Sequence, residues 1–275
     1  MNDQSNPQKP TNTTEGWDTG SHEDFFKYYE KQSLSRETLE RFRTACDMLL
    51  RRFAASGDSR ELDVLDIGCG AGAQSKFWLE RGHRYWGIDI NGPLIQLAQE
   101  RASQQNLSAR FDVGTATALP CADSSMDVCL LPELLEHVAD WKSCVDEAIR
   151  VLRPQGLIYI NTSSKLCPHQ QEFRLPMYGW YPNRLKRYFE HRAVTDWPGV
   201  ANFAKYPAVN WFSYYGLRDY LEPKGFKCSD RFDVMDISAK SAVGRVILGT
   251  LRMVPPLRFL GHVATPYTLL VAKKC

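Results

Sequence analysis

Two carboxyl groups and an imidazole fall within five residues in the segment Glu133-Leu134-Leu135-Glu136-His137. If this segment is helical, the three side chains share one face, because residues three and four positions apart are neighbours on a helix. Such a face offers a general base, His137, or ligands for a divalent cation such as Mg²⁺. We take Glu133, Glu136 and His137 as the candidate catalytic residues and do not favour a metal. The alternative is that Glu136 and His137 only shape the loop.

A glycine-rich turn upstream predicts a ligand-binding loop. Residues 64–72, VLDIGCGAG, are typical of a buried strand that leads into a tight turn. Gly68, Gly70 and Gly72 carry no side chain, so a ligand can lie against the main chain there. Seventeen residues after Gly72, Asp89 ends the next predicted strand and can accept hydrogen bonds from both ribose hydroxyls of a nucleoside. The G-x-G-x-G spacing differs from the G-x-G-x-x-G of dinucleotide-binding turns, which makes a nicotinamide-dependent oxidoreductase the less favoured alternative.

This pattern resembles the class I S-adenosylmethionine-dependent methyltransferases, whose first motif and following acidic residue match at these positions. Residues 114–120, GTATALP, resemble the family's G-D-A-x-x-L-P segment, and the E-x-x-E-H pattern that starts at Glu133 resembles the ubiquinone-biosynthesis O-methyltransferases. The resemblance implies S-adenosyl-L-methionine as the cofactor. The residues assigned to its binding are Asp66, Gly68, Cys69, Gly70, Gly72, Asp89, Ile90, Thr115, Ala116 and Pro132.

The chain departs from the family at Thr115, where an acidic residue is usual. A threonine hydroxyl accepts a weaker hydrogen bond than an ionised carboxylate does. The departure supports a second alternative, a catalytically silent protein of the methyltransferase fold that serves as a binding partner.

Strand and helix patterns alternate from residue 60 onward, which is typical of a parallel sheet flanked by helices. The resemblance implies an α/β, Rossmann-like, doubly wound sheet of seven strands with an inserted lid. The sheet would be mostly parallel, with the last strand antiparallel between the fifth and the sixth. The predicted strands span 62–67, 84–90, 109–113, 126–131, 157–162, 226–234 and 266–272. The predicted helices start with one capped by Ser35 and continue with 74–81, 93–105, 141–152 and 216–224.

Composition divides the chain into a tail and one domain. Residues 1–20 are polar and lack the apolar core of a signal peptide, so we expect a disordered tail and a methyltransferase domain over 21–275. The eight cysteines include no C-x-x-C pair, which favours free thiols in a reducing, cytoplasmic location.

Two segments outside the motifs indicate what this protein could bind. Residues 165–215 form a long, aromatic-rich insertion that we interpret as a substrate lid. Residues 242–260 read as an amphipathic helix with a basic fringe, which could cover the sheet, form a dimer interface or touch a membrane surface. Residues 151–275 hold 18 Lys and Arg against 8 Asp and Glu, but these basic residues are scattered, so nucleic acid is not favoured.

The expected reaction follows from the cofactor. A sulfonium methyl is already electrophilic, so the protein needs only to position an acceptor and to remove its proton. We therefore predict methyl transfer to a hydroxyl oxygen of a small molecule, a glycan or a lipid-linked acceptor. The oligomeric state is left open.

Overall fold

A computed structural model describes most of the chain. The described residues are 30, 33–55, 57, 59–169, 173–201, 208, 210–238 and 240–275. The tail predicted over 1–20, and the lid aromatics Phe203 and Tyr206, lie outside these residues.

The sheet has the predicted seven strands in the order β3-β2-β1-β4-β5-β7-β6. Strands β1 to β5 pair in parallel, whereas β7 runs antiparallel to both β5 and β6. The expected doubly wound architecture, with the antiparallel last strand between the fifth and the sixth, is therefore confirmed. The strands are β1 (Asp63–Ile67), β2 (Arg84–Asp89), β3 (Arg110–Val113), β4 (Met126–Pro132), β5 (Leu152–Ser163), β6 (Phe226–Asp230) and β7 (Tyr267–Lys274).

Helices flank the sheet and follow most of the predicted segments. Three 3₁₀ turns accompany them, at Tyr178–Trp180, Pro198–Val200 and Glu222–Lys224. The helices are α1 (Arg36–Ala55), α2 (Ser75–Leu79), α3 (Gly92–Gln104), α4 (Trp141–Val151), α5 (Asn183–Val194), α6 (Tyr214–Leu221), α7 (Arg231–Val234), α8 (Ala242–Met253) and α9 (Pro255–Val263).

Both faces of the sheet are buried, which explains why its central strands are almost wholly apolar. Along β4, Cys129 and Leu131 pack into one core cluster together with α4 and α6. Val128 and Leu130 point to the other face and pack with α1, α2 and α3. Successive side chains of a strand alternate between faces, so a single short strand contributes to both halves of the core.

The predicted extents of two segments after residue 225 were wrong. The strand predicted over 226–234 ends at Asp230, because the Asp230 carboxylate accepts the backbone N–H groups of Phe232 (2.8 Å) and Asp233 (3.1 Å) and starts α7 with a capping box. The single helix over 242–260 is divided into α8 and α9 at Val254, because the prolines that follow cannot continue the hydrogen-bond ladder. The two helices form a hairpin, residues 240–263, which we call the α8–α9 hairpin.

The insertion after β5 has a small core of its own and is tied to the sheet at both ends. Phe173, Tyr178 and Val200 are buried together, and Tyr178 stacks on Phe173 at 4.3 Å between ring centroids. At the base, the Lys165 N–H donates to the Phe212 carbonyl (2.7 Å), so the entering and leaving segments are held side by side.

The buried Asp230 carboxylate allows a test of the packing at the end of β6. Burial alone would raise the pKa of Asp230, but hydrogen bonds from His262 and Arg258 lower it to about 2. A carboxyl group whose pKa is lower in the folded protein stabilises the fold above its unfolded pKa, and this stabilisation is lost as the pH falls from about 4 towards 2. Asp230→Asn should therefore cost about 2 kcal/mol of unfolding free energy at pH 7.

Urea unfolding of the variant and the parent protein at pH 7 and at pH 3.5 measures this effect. The difference between the two proteins should shrink at the lower pH. Asp219→Asn is the matched control, since this exposed carboxylate is paired with Arg218 at the surface and should change stability by less than about 0.5 kcal/mol. An equal loss for both variants would contradict the expectation.

Candidate functional site

The glycine turn after β1 forms a loop that is open on one side. Gly68, Gly70 and Gly72 all have positive φ angles, of 75°, 51° and 68°. A Cβ atom at Gly72 would lie 2.7 Å from the Phe111 ring, so the loop cannot hold a side chain there. A Cβ at Gly70 would meet nothing within 4 Å, which leaves the main chain at Gly70 free to face a ligand.

Asp66 lies beneath this loop and is fully buried. Its Oδ2 accepts hydrogen bonds from the Tyr85 hydroxyl and from Gln74 Nε2 (2.6 Å). Its Oδ1 has no hydrogen-bond partner, so the site retains an unsatisfied acceptor. Burial raises the pKa of Asp66 to about 7, although the hydrogen bonds from Tyr85 and Gln74 oppose the shift.

Asp89 ends β2 and holds the same loop from the side. Its Oδ2 accepts the Gly70 N–H (2.8 Å) and its Oδ1 accepts the Asn91 N–H (2.8 Å). Each carboxylate oxygen has two lone-pair positions, so both keep capacity for a further donor. Burial raises the pKa of Asp89, and the backbone donors oppose that shift. Asp89 is thus oriented by the backbone and still able to bind two hydroxyl groups.

An apolar platform lies beside Asp89. Ile90 follows Asp89 in the chain and is 56% exposed, while Val113, the register partner of Asp89 on β3, is 59% exposed. Exposed branched side chains at the carboxyl ends of two adjacent strands fit the face of a flat, apolar ring. Sequence analysis missed Val113, although its place as the last apolar residue of a predicted strand was a usable signal.

Thr115 and Ala116 continue from this platform. Thr115 is exposed, and its hydroxyl lies 2.9 Å from the Thr117 hydroxyl, while the Thr117 N–H also donates to it (3.3 Å). Ala116 is partly buried against the sheet core. Thr115 therefore organises the turn after β3 and presents its side chain to solvent.

The segment after β4 is a series of turns and not the helix that would place its polar groups on one face. Pro132 ends the strand, and Glu133 adopts a φ of 51°, in the left-handed region that is uncommon for a residue with a side chain. The Glu133 N–H donates to the Asn161 carbonyl of β5 (2.7 Å), and this contact directs the chain away from a helix.

Glu133 is held by an arginine that the sequence analysis missed. Both terminal nitrogens of Arg41, on α1, donate to the two carboxylate oxygens of Glu133. Burial lowers the pKa of Arg41, but the charge and the hydrogen bonds of Glu133, with smaller contributions from Tyr267 and Tyr159, together outweigh burial, and the net shift is upward. The two residues are 92 positions apart, and no local pattern connects them.

Glu136 is buried and hydrogen-bonded to β5 and to the insertion that follows β5. Its Oε2 accepts the Thr162 hydroxyl (2.6 Å), and burial raises its pKa to about 7 against the effect of that hydrogen bond. Asn210, near the end of the insertion, donates its backbone N–H to the Glu136 carbonyl (3.1 Å). The Asn210 amide also donates to the carbonyls of Leu135 (3.2 Å) and Val138 (2.6 Å). One residue of the insertion thus holds the turn that carries Glu136.

His137 is partly buried, and its backbone N–H donates to the Leu134 carbonyl (2.9 Å). Over the described residues, no group of three His, Cys, Asp or Glu side chains is placed to hold a metal ion. The structure therefore brings Glu133, Glu136 and His137 onto one turn, with Glu133 directed to Arg41 and Glu136 to Thr162.

Comparisons with known proteins show which sequences and folds this chain is similar to. Residues 65–160 match the sequence model of a family described as a methyltransferase domain. This segment of the chain is therefore similar to methyltransferase domains. The matched residues include the glycine loop, Asp89 and the turn with Glu136 and His137, so the resemblance inferred from the motifs is confirmed.

Relatives and solved structures extend the match. A ubiquinone biosynthesis O-methyltransferase of Bartonella tribocorum is 35% identical over 104 residues, which cover 38% of this chain and 42% of that relative. A demethylmenaquinone methyltransferase of Tropheryma whipplei is 29% identical over 186 residues, or 67% of this chain and 72% of the relative. The structure of a plantazolicin methyltransferase, solved with a substrate analogue and S-adenosylhomocysteine, superposes with a TM-score of 0.58 at 12% identity and covers 92% of this chain and 90% of that one.

The chain thus spans less than half the length of the first of these relatives. The structural match, at its low identity, shows the shared fold.

The buried carboxyl group of Asp66 gives a pH-dependent prediction. A pKa raised by burial means that ionisation of the folded protein is unfavourable, so this group lowers stability as the pH rises from about 4 to 7. Asp66→Asn removes that titration. Its unfolding free energy relative to the parent protein should therefore increase by roughly 2 to 3 kcal/mol between pH 5 and pH 7.

Chemical denaturation curves at several pH values measure the effect. Tyr85→Phe is the companion variant, because it removes a donor that lowers the pKa of Asp66 and should steepen the fall of stability with pH. Parallel stability curves for Asp66→Asn and the parent protein would show that Asp66 does not titrate in this range.

Proposed function

We propose that the protein transfers a methyl group from S-adenosyl-L-methionine to a hydroxyl oxygen of a small-molecule, glycan or lipid-linked acceptor. The observation that carries the proposal is the pairing of Asp89 with an open glycine loop. The Asp89 carboxylate is oriented by the Gly70 N–H (2.8 Å), and the main chain of Gly70 faces open space.

The described residues fit this cofactor. Asp89 would bind the two ribose hydroxyls, while Ile90 and Val113 would pack against the adenine ring. The unsatisfied Oδ1 of Asp66 would accept from the cofactor's ammonium group, directly or through water. Thr115 would contact the edge of the adenine. The plantazolicin methyltransferase that shares the fold was solved with S-adenosylhomocysteine, which supports this assignment.

The acceptor would lie against the turn after β4. The carboxyl ends of parallel strands are where ligands bind in open α/β sheets, and Glu133 to His137 follow directly at this edge. The names of the relatives, which refer to ubiquinone and menaquinone, favour a ring that bears hydroxyl groups. We therefore propose a quinol-like or other ring hydroxyl as the acceptor.

Three residues of the turn after β4 would each have a different role in the reaction. His137 would take the hydroxyl proton at an imidazole nitrogen as the acceptor oxygen forms its bond to the methyl group, and such a base contributes typically 10²- to 10⁴-fold. Glu136 directly precedes His137 in the chain, and its carboxylate, whose pKa is about 7, would when ionised favour the protonated imidazole through its charge while it stays hydrogen-bonded to Thr162. Glu133, held by Arg41, would position the turn. The cofactor supplies an electrophilic methyl group on sulfur, and alignment of the acceptor can account for about 7–11 kcal/mol of the barrier.

A reducing compartment such as the cytoplasm fits the cysteines. All eight are free thiols, and Cys275 alone is exposed among them. The described residues contain no helix that is both long and apolar enough to cross a bilayer.

Cofactor binding is the first test of the proposal. Calorimetric titration of S-adenosyl-L-methionine into the protein should show saturable binding, and NADH should show none. Asp89→Ala should weaken the binding at least about tenfold, because the variant loses charge-assisted hydrogen bonds to the ribose. Asp112→Ala, which removes a carboxylate on the neighbouring strand β3, is the matched control and should bind like the parent. Absence of binding at millimolar cofactor would overturn the proposal and favour the silent methyltransferase-fold alternative.

The pH profile of methyl transfer tests the role of Glu136. With a short-chain ring-hydroxylated quinol as acceptor, kcat/KM should rise through about pH 7 as Glu136 ionises. Glu136→Gln keeps an acceptor for the Thr162 hydroxyl but cannot ionise, so the rate should fall and the contribution of Glu136 to this rise should disappear. Glu133→Gln, which weakens the pairing with Arg41, should lower the rate and retain the rise. A variant Glu136→Gln with the parental pH profile would exclude the assignment.

A further inference from the structure

The α8–α9 hairpin exposes an apolar face to the outside of the protein. On α8, Val243 and Val246 are each 69% exposed, Ile247 is also exposed, and Met253 at the tip is 83% exposed. Val246 and Ile247 follow Val243 by three and four residues, and Met253 follows Val246 by seven, so these side chains lie on one side of the helix. Leu248, between them, is buried on the other side.

The short helix α9 has the same orientation. Leu257, Phe259 and Leu260 are exposed, whereas Arg258 and His262 point inward. A helix that covers the surface of a water-exposed protein normally buries its apolar stripe and exposes its polar one. In the α8–α9 hairpin this arrangement is inverted.

Polar contacts hold the hairpin in this inverted orientation. Arg252 donates to the backbone carbonyls of Phe232 (2.8 Å) and Met235 (2.7 Å). Arg258 Nε donates to the buried Asp230 carboxylate at 2.7 Å, and His262 Nε2 lies 2.8 Å from the same group. A rotation that buried the apolar face would break these contacts and leave Asp230 unpaired in the interior. The exposed apolar surface is therefore a stable property of the fold.

The charged side chains of the hairpin itself are all basic. Residues 237–275 contain no Asp or Glu, and Lys240 and Arg245 are exposed at the start of the hairpin. An isologous dimer would place the same patch on both subunits and bring these positive charges together. A negatively charged, apolar surface is the complementary partner, and an anionic lipid bilayer combines the two properties.

We propose that the α8–α9 hairpin docks this protein on anionic lipid bilayers. The hairpin lies in the plane of the interface, with the apolar side chains of α8 and α9 among the acyl chains and with Lys240 and Arg245 at the level of the phosphates. Helix α8 has 12 residues and is about 18 Å long, which is too short to cross the hydrocarbon core.

The docked hairpin is connected to the candidate site. His262 stacks on Tyr214, and Phe259 packs near Tyr215, so both residues of α9 contact the start of α6. That start follows Phe212, which forms a bridge with Ser164 directly after β5. Docking places the carboxyl end of the sheet beside the bilayer, which suits a lipid-linked acceptor; this last point rests on the proposed function.

Vesicle co-sedimentation tests the proposal without cofactor or acceptor, so its outcome is independent of methyl transfer. The full chain should sediment with vesicles of phosphatidylcholine and phosphatidylglycerol in a 1:1 ratio, and much less with phosphatidylcholine alone. The double variant Ile247→Ser/Leu260→Ser should reduce partitioning by more than about tenfold. Arg245→Glu should reduce it by roughly ten- to thirtyfold, because each charge near such a surface contributes to binding.

Two control variants distinguish a loss of docking at the hairpin from the general effect of removing an apolar side chain or reversing a charge elsewhere on the surface. Leu34→Ser removes an exposed leucine at the start of α1, and Lys227→Glu makes the same change of charge at the beginning of β6. Both should bind vesicles like the parent, and circular dichroism should confirm that all variants are folded. Absence of sedimentation with anionic vesicles, or equal binding by hairpin and control variants, would overturn the proposal. Analytical ultracentrifugation provides a second way to overturn the proposal. If the parent protein is a dimer and the Ile247→Ser/Leu260→Ser variant is a monomer, the apolar surface binds a second copy of the chain and not a bilayer.

Discussion

The contact between the glycine loop and β2 is the constraint on which the candidate site depends. The N–H groups of Gly68 and Cys69 donate to the Ile88 carbonyl (2.7 and 3.1 Å), and the Gly70 N–H donates to Asp89 (2.8 Å). These bonds set the loop across the ends of two parallel strands. They also orient the Asp89 carboxylate and close the loop over Asp66. Without these bonds, the Asp66 and Asp89 carboxylates and the open main chain at Gly70 would not be held together at this edge of the sheet.

Three buried carboxyl groups show how their partners control their charge. Asp66 and Glu136 accept hydrogen bonds from neutral groups, and burial raises the pKa of each to about 7. Asp230 is as deeply buried, but the hydrogen bonds of Arg258 and His262 lower its pKa to about 2. The first two lie around the candidate site, where a group that gains or loses a proton near neutrality is useful. Asp230 stays ionised and has a structural role, the attachment of the α8–α9 hairpin.

The insertion after β5 and the α8–α9 hairpin are attached to the same edge of the sheet by different means. The insertion has its own aromatic core, and Asn210 joins it to the turn that carries Glu136. The hairpin has little core of its own and is held by hydrogen bonds from Arg252, Arg258 and His262. The hydrogen bonds replace apolar packing, and this is why the apolar residues of the hairpin remain at the surface.

The sequence by itself determined the sheet, the glycine loop and the position of Asp89, because these depend on local patterns: an apolar strand, a glycine turn and an acidic residue at the next strand end. The pairing of Arg41 with Glu133, 92 residues away, was decided by tertiary structure, as was the non-helical turn that Asn161 directs. Periodicity over 242–260 predicted an apolar stripe but not the direction in which it faces. Contacts with Asp230 and with the backbone around Phe232 decide that direction, because a helical pattern specifies which side chains lie together and only the packed fold specifies what they meet.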